Sequence, residues 1–147
     1  MKRIRRILYA TDFSKASRRA FTTALAMAKA NNAVLTILHV NVPIMPLVPE
    51  QVIRSDTWEK LDTEARRWSR RRLAGIAKRA KTTGTRANTL LMNGDPSQQI
   101  VHAARSTRAE MIVVGTHGRT GFSKFMLGSV AGRVVATAPC PVVTVRS

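Results

Sequence analysis

Gly115, Gly118, Gly128 and Ser129 fall in the spacing G-x2-G-x9-G-S, directly after the apolar run Met111-Ile112-Val113-Val114. Gly121 adds a further glycine between them. Glycines let main-chain N–H groups close on an anion, and the first turn of a helix aims its unpaired N–H groups at the same point. A buried strand, a glycine loop and a helix start capped by Ser129, with Val130 behind it, are the parts of a backbone phosphate cradle. The spacing is neither G-x-G-x-x-G nor the P-loop pattern, so neither of those mechanisms transfers.

Other residue types supply what a cradle lacks. Asp12, after the run Ile7-Leu8-Tyr9-Ala10-Thr11, suits ribose hydroxyls or a divalent ion held through water. A turn or helix-capping aspartate is the other reading of the same residue. Arg119 inside the loop is placed to neutralise phosphate charge, whereas Lys124 is open between phosphate and solvent. His117 reads as an ordinary loop histidine, with phosphate contact or a pH response as the other reading. Val40 offers its backbone to a base edge or simply completes a core. His39, His102 and His117 lack any paired spacing with Cys or carboxylates, which argues against zinc. No G-x-S-x-G elbow, P-loop lysine or close carboxylate pair is present, so fast catalysis is not expected. Slow ATP hydrolysis, with Asp12 as its one candidate base, stays open.

The elements that must carry these residues alternate. Strands are expected over Arg3–Ala10, Ala33–Val40, Arg86–Met92, Met111–Val114 and Pro141–Val145. Ser14 caps a first helix that ends at Asn31-Asn32. A long helix, roughly Asp56–Lys81, follows the proline-bearing stretch Asn41–Glu50. Its apolar positions Trp58, Leu61, Ala65, Trp68, Leu73, Ile76, Ala77 and Ala80 are expected to make one inward stripe. Asp95 caps a third helix with Pro96 at its tolerated first position, ending near Ser106. Ser129–Thr137 forms the fourth. Strict β-α alternation with strands apolar on both faces predicts a parallel sheet covered on both sides, an α/β doubly wound sandwich. Ligands of such sheets sit beyond the carboxyl ends of the strands where strand order reverses. With strands one and four as neighbours, Thr11-Asp12 and Gly115–Gly118 line that crevice.

At 147 residues the expectation is one domain spanning 1–147, with 44% hydrophobic and 22% charged residues suited to a soluble globular protein. No apolar run reaches the 18 or so residues of a membrane span. The basic, briefly apolar start MKRIRRILYATDF lacks the core of a signal peptide. The single cysteine, Cys140 between two prolines, suits a reducing cytoplasm and a structural role.

Taken together, Ala10-Thr11-Asp12-Phe13-Ser14, Gly115-x2-Gly118-x9-Gly128-Ser129 and Pro139-Cys140-Pro141-Val142-Val143 resemble the universal stress protein family in its nucleotide-binding branch. The resemblance runs from about Ile4 to Arg146. It implies strand order 3-2-1-4-5 and ATP, ADP or AMP at the switch point, with magnesium. By that resemblance Asp12 serves ribose or metal, Ala10 and Val40 border and hydrogen-bond the adenine, and Thr11 belongs to the nucleotide-binding set. Gly115, Thr116 and Gly118 line ribose and phosphates, and Gly128, Ser129 and Val130 take the phosphate tail. It also implies a cytoplasmic stress-response module and a homodimer paired through Val142–Val145.

One property stands apart from the resemblance. Lys and Arg number 25 against 8 Asp and Glu, a formal net charge of +17. Arg66, Arg67, Arg70, Arg71, Arg72, Lys78, Arg79 and Lys81 crowd the long helix, and like charges four apart cost helix stability. Either this is a solvated face, or it docks nucleic acid, anionic lipid or an acidic partner.

Overall fold

The apolar, β-branched runs fold as β1 (Arg6–Ala10), β2 (Val34–Asn41), β3 (Ala87–Asn93), β4 (Met111–Gly115) and β5 (Val142–Val145). They alternate with α1 (Lys15–Asn31), α2 (Ser55–Thr82), α3 (Pro96–Ser106) and α4 (Ser129–Thr137). This computed structural model describes residues 2–43, 54–117 and 126–146. All four strand pairings are parallel and the order is β3-β2-β1-β4-β5, so the doubly wound expectation holds. β1 is shorter than its basic lead-in implied. The amides of Arg5 and Arg6 donate to the Glu110 carboxylate rather than to a neighbouring strand.

Two cores sandwich the sheet. Ile7, Tyr9, Leu35 and Ile37 face Ala20, Phe21 and Ala24 of α1 and Leu73, Ala77 and Ala80 of α2. Leu8, Leu38, Val40, Ile112 and Val114 face Ile100, Ala103 and Ala104 of α3 and Ala131 and Val134 of α4. The period-two alternation along each strand feeds both. Burial pushes the Tyr9 phenol above its usual pKa, and its hydroxyl donates to the Ser17 carbonyl at 2.6 Å, fastening α1 under β1.

The helix ends follow the side chains available. Ser14 accepts from the Ser17 amide, and Asn32 closes α1 at φ 50°. Asp95 accepts from the Gln98 amide with Pro96 just inside α3, and Gly84 turns the chain after α2 at φ +83°. At α4 the expectation changes. Gly128, at φ −58° and ψ 156°, is the N-cap, and Ser129 is the first helical residue with no capping role.

The inward stripe of α2 also needs correction. Leu61 is 48% exposed and Trp68 42%, while the buried positions are Ser69, Leu73, Ala77 and Ala80. Length explains it. Twenty-eight residues span about 42 Å at 1.5 Å each, whereas the eight residues of β2 cover about 26 Å. The Ser69 hydroxyl donates to Oδ1 of Asn41, the last residue of β2, at 2.9 Å. Ser69 therefore marks the level of the end of β2, and the turns before it hold half-buried Trp58 and Ala65 but no fully buried residue.

Candidate functional site

The carboxyl end of β1 is locked by short-range hydrogen bonds. The Thr11 amide donates to Leu38 across 2.8 Å, and its carbonyl accepts from Nδ1 of His39 across 2.7 Å. The Thr11 hydroxyl meets Ser17 Oγ at 2.9 Å and accepts from the Phe13 amide. Asp12 Oδ1 accepts from the Ser14 amide at 2.9 Å, an Asx-type turn that launches α1. Asp12 is thus a turn residue, half-buried, with one carboxylate oxygen engaged by the turn. Ala10 is half-buried, and the Val40 side chain belongs to the core, leaving only its backbone for a ligand.

Phe13 carries the strain of this turn. Its φ of 64° lies in the left-handed region, which costs a non-glycine residue about 1–3 kcal/mol unless its surroundings enforce it. Its ring packs on His39 at 4.2 Å between centroids and meets Trp68 edge-on at 5.4 Å. The Arg72 guanidinium lies 5.2 Å from the Phe13 ring centroid and 5.0 Å from that of Trp68. Sequence reasoning missed this His39–Phe13–Trp68–Arg72 stack, because its members come from three distant segments with no shared spacing.

The β4 side is closed by main chain. The Thr116 amide donates to Val145, and its carbonyl accepts from the Gly128 amide at 2.7 Å. A Cβ on Gly128 would stand 2.6 Å from that carbonyl oxygen, so only glycine lets α4 start this close to the end of β4. A Cβ on Gly115 would sit 3.4 Å from the Ala16 backbone, which ties β4 tightly to α1. Ser129 and Val130, in the first turn of α4, are exposed. The Thr116 hydroxyl lies 3.0 Å from His117 Nδ1, and Nε2 of His117 is buried without a partner among the described residues. Asn41 Nδ2 is likewise buried and unpaired there. Neither orphan was legible from spacing.

The sheet therefore brings Ala10, Thr11, Asp12, Val40, Gly115, Thr116, Gly128, Ser129 and Val130 to one end. Gly118, Arg119, Gly121 and Lys124 lie outside the described residues. Among the described residues no group of three or more His, Cys, Asp or Glu is arranged to hold a metal ion, and no helix is long and apolar enough to cross a membrane.

Similarity to known proteins is extensive. The sequence profile of the universal stress protein family matches residues 3–146. The chain is 32% identical to universal stress protein MJ0531 of Methanocaldococcus jannaschii, over 97% of this chain and 82% of that one. Universal stress protein UspA of Lactobacillus plantarum superposes with a TM-score of 0.77 at 28% identity, covering 99% of this chain and 100% of that one. A universal stress protein solved in complex with cAMP superposes with a TM-score of 0.72 at 25% identity, covering 99% and 98%.

Proposed function

The chain belongs to the universal stress protein family, and from that premise we propose that it binds an adenine nucleotide, ATP foremost, as a regulatory module of a stress response. The observation that carries the reading is the closure of Gly128 on Thr116, with no room for a side chain. It fixes the start of α4 at the end of β4, at the same end of the sheet as the Asp12 turn. The N–H donors of a helix start suit phosphates, and a carboxylate suits ribose hydroxyls.

In this reading Ala10, Thr11 and the Val40 backbone border adenine, with Asp12 on the ribose. Gly115 and Thr116 flank the sugar and first phosphate, and Gly128, Ser129 and Val130 receive the phosphate tail. Gly118 and Arg119 complete it from the loop. The complex with cAMP of a related protein favours an adenine ligand. Magnesium would travel with the nucleotide, held by phosphates and water with Asp12 in the outer sphere, since the described residues offer no cage of their own. Asp12 already serves a turn through the bond it accepts from the Ser14 amide, and in this reading the site works as a sensor rather than as a fast hydrolase. The cytoplasm is the compartment this ligand implies, and the open edge of β5 is the place for a second copy.

Isothermal titration of ATP with magnesium tests the reading. Saturable binding in the micromolar range is expected. Absence of heat up to high micromolar ATP, or binding unchanged in Gly128→Val, would overturn it.

A further inference from the structure

The basic residues of this chain are scattered in sequence, but the topology gathers many of them on one layer. α1 and α2 cover the same face of the sheet. α1 contains no acidic residue, and α2 contains none after Glu64. The opposite layer is nearly neutral by contrast, since α3 and α4 carry only Arg105 and Arg133 as Lys or Arg.

Along α2 the side turned away from the buried Leu73, Ala77 and Ala80 carries Arg71, Gly75 and Lys78, flanked by Arg67 and Ala74. All five are exposed. Arg66 and Arg67 are ion-paired with Asp62 and Glu64, which satisfies the N-terminal half of the helix. Arg70, Arg71, Lys78 and Lys81 follow with no acid on the helix to pair with. The exposed Arg18 and Arg19 of α1 extend the field sideways. Arg79 stacks over Phe21 of α1 and Arg72 over Phe13 just before it, so two guanidinium groups reach from α2 toward α1. In the middle of the basic stretch, Ala74 and Gly75 leave a bare strip, and a Cβ on Gly75 would meet nothing within 4 Å.

From this we infer that the α1–α2 layer docks the phosphate backbone of duplex nucleic acid without reading its sequence. The stretch Arg67–Lys81 is about 21 Å long, over which a duplex presents roughly a dozen charges at one per 1.7 Å or so. Small residues at the centre of the strip let a backbone lie flush against the helix. Arginine dominates, and its fork matches phosphate better than an ammonium does. Single strands are disfavoured because the exposed aromatic of this layer, Trp68, is already covered by Arg72. An anionic membrane is disfavoured because the one large apolar side chain exposed along Arg67–Lys81 is Trp68, and Arg72 lies over its ring. An acidic protein partner would call for a desolvated aromatic anchor at the patch centre, where Ala74 and Gly75 stand instead. The inference does not depend on nucleotide at the opposite site.

The test is fluorescence anisotropy of the full chain, without ATP, on a labelled mixed-sequence 20-base-pair DNA across a salt series. Steeply salt-dependent binding is expected. The variant R70Q/R71Q/K78Q, at exposed helix positions where Gln is a good helix former, should flatten the slope of log K against log salt by about 2–3. R105Q/R133Q, on the other layer, should leave it unchanged. Polyglutamate and phosphatidylserine vesicles serve as rival probes. No duplex binding at 50 mM salt overturns the inference, as does an unchanged slope in the triple variant. Retention of polyglutamate or vesicles in place of DNA overturns it too. ATP titration of the same triple variant should match wild type, which separates this surface from the glycine site.

Discussion

The Gly128 amide donates to the Thr116 carbonyl across 2.7 Å, and a side chain at Gly128 would come within 2.6 Å of that same oxygen. One contact therefore both joins β4 to α4 and fixes where the first turn of α4 points. Gly128→Val should push the helix start away from the strand end. ATP affinity is expected to fall by about tenfold or more, the worth of at least one good hydrogen bond, while the urea midpoint moves less. Titration calorimetry alongside urea unfolding separates the two.

Ser69 of α2 and Asn41 mark the level of the end of β2. Ser69→Ala removes the donor to Asn41 Oδ1 and leaves a second polar atom of Asn41 unpaired in a site where Nδ2 already is. Urea unfolding should show a loss of about 1–3 kcal/mol. Ser69→Ala combined with Asn41→Leu should cost less than the two single changes added together, because the stranded group is then gone.

Phe13 reverses the usual order of glycine and alanine. Phe13→Ala empties the space between His39 and Trp68, a loss of about 3 kcal/mol or more, and keeps a Cβ at φ 64°. Phe13→Gly removes the same ring but relaxes the backbone, so it should be the more stable of the two by about 1 kcal/mol. Paired urea titrations read this directly. Both variants should shift tryptophan emission, since Trp68 loses its edge contact.

Glu110 gives the fold a pH dependence. Its carboxylate accepts from the Arg5 amide and, with the Arg6 guanidinium 3.3 Å away, is held below its usual pKa. A depressed folded pKa contributes stability that is present above the ordinary glutamate range of about 4 to 4.5 and is lost as pH falls through the folded value. Glu110→Gln should therefore lower the melting temperature at pH 7. The gap to wild type should close as the pH is taken below 4, as measured by circular dichroism.

The edge of β5 tests the proposed dimer. Ile112 and Thr116 donate to the carbonyls of Pro141 and Val145, so the odd positions of β5 turn toward β4 and Thr144 turns outward. Thr144→Pro should remove one outward N–H while keeping β5 in the sheet. Sedimentation is expected to show a dimer for wild type and a monomer for the variant at the same concentration.

Sequence alone determined the alternation of strands and helices, the parallel sheet, the caps at Ser14 and Asp95, and the glycine and aspartate segments that converge. These are local signals: apolar period, capping side chains and chain-breaking residues act within a few positions of themselves. The resemblance to known proteins carried the strand order. Ser129 was read as a cap because its type favours that role, but Gly128 takes the position because only it can touch Thr116. The α2 stripe failed for a related reason. Periodicity says which side of a helix is apolar, and it cannot say how far the sheet beneath extends. Only the tertiary structure decided that Trp68 stays partly exposed at the edge of the core, with Phe13 and Arg72 against its ring and His39 on the far side of Phe13. It also set the cations of α1 and α2 on one layer, because that depends on which way each crossover passes over the sheet, a long-range choice to which no single residue commits the chain.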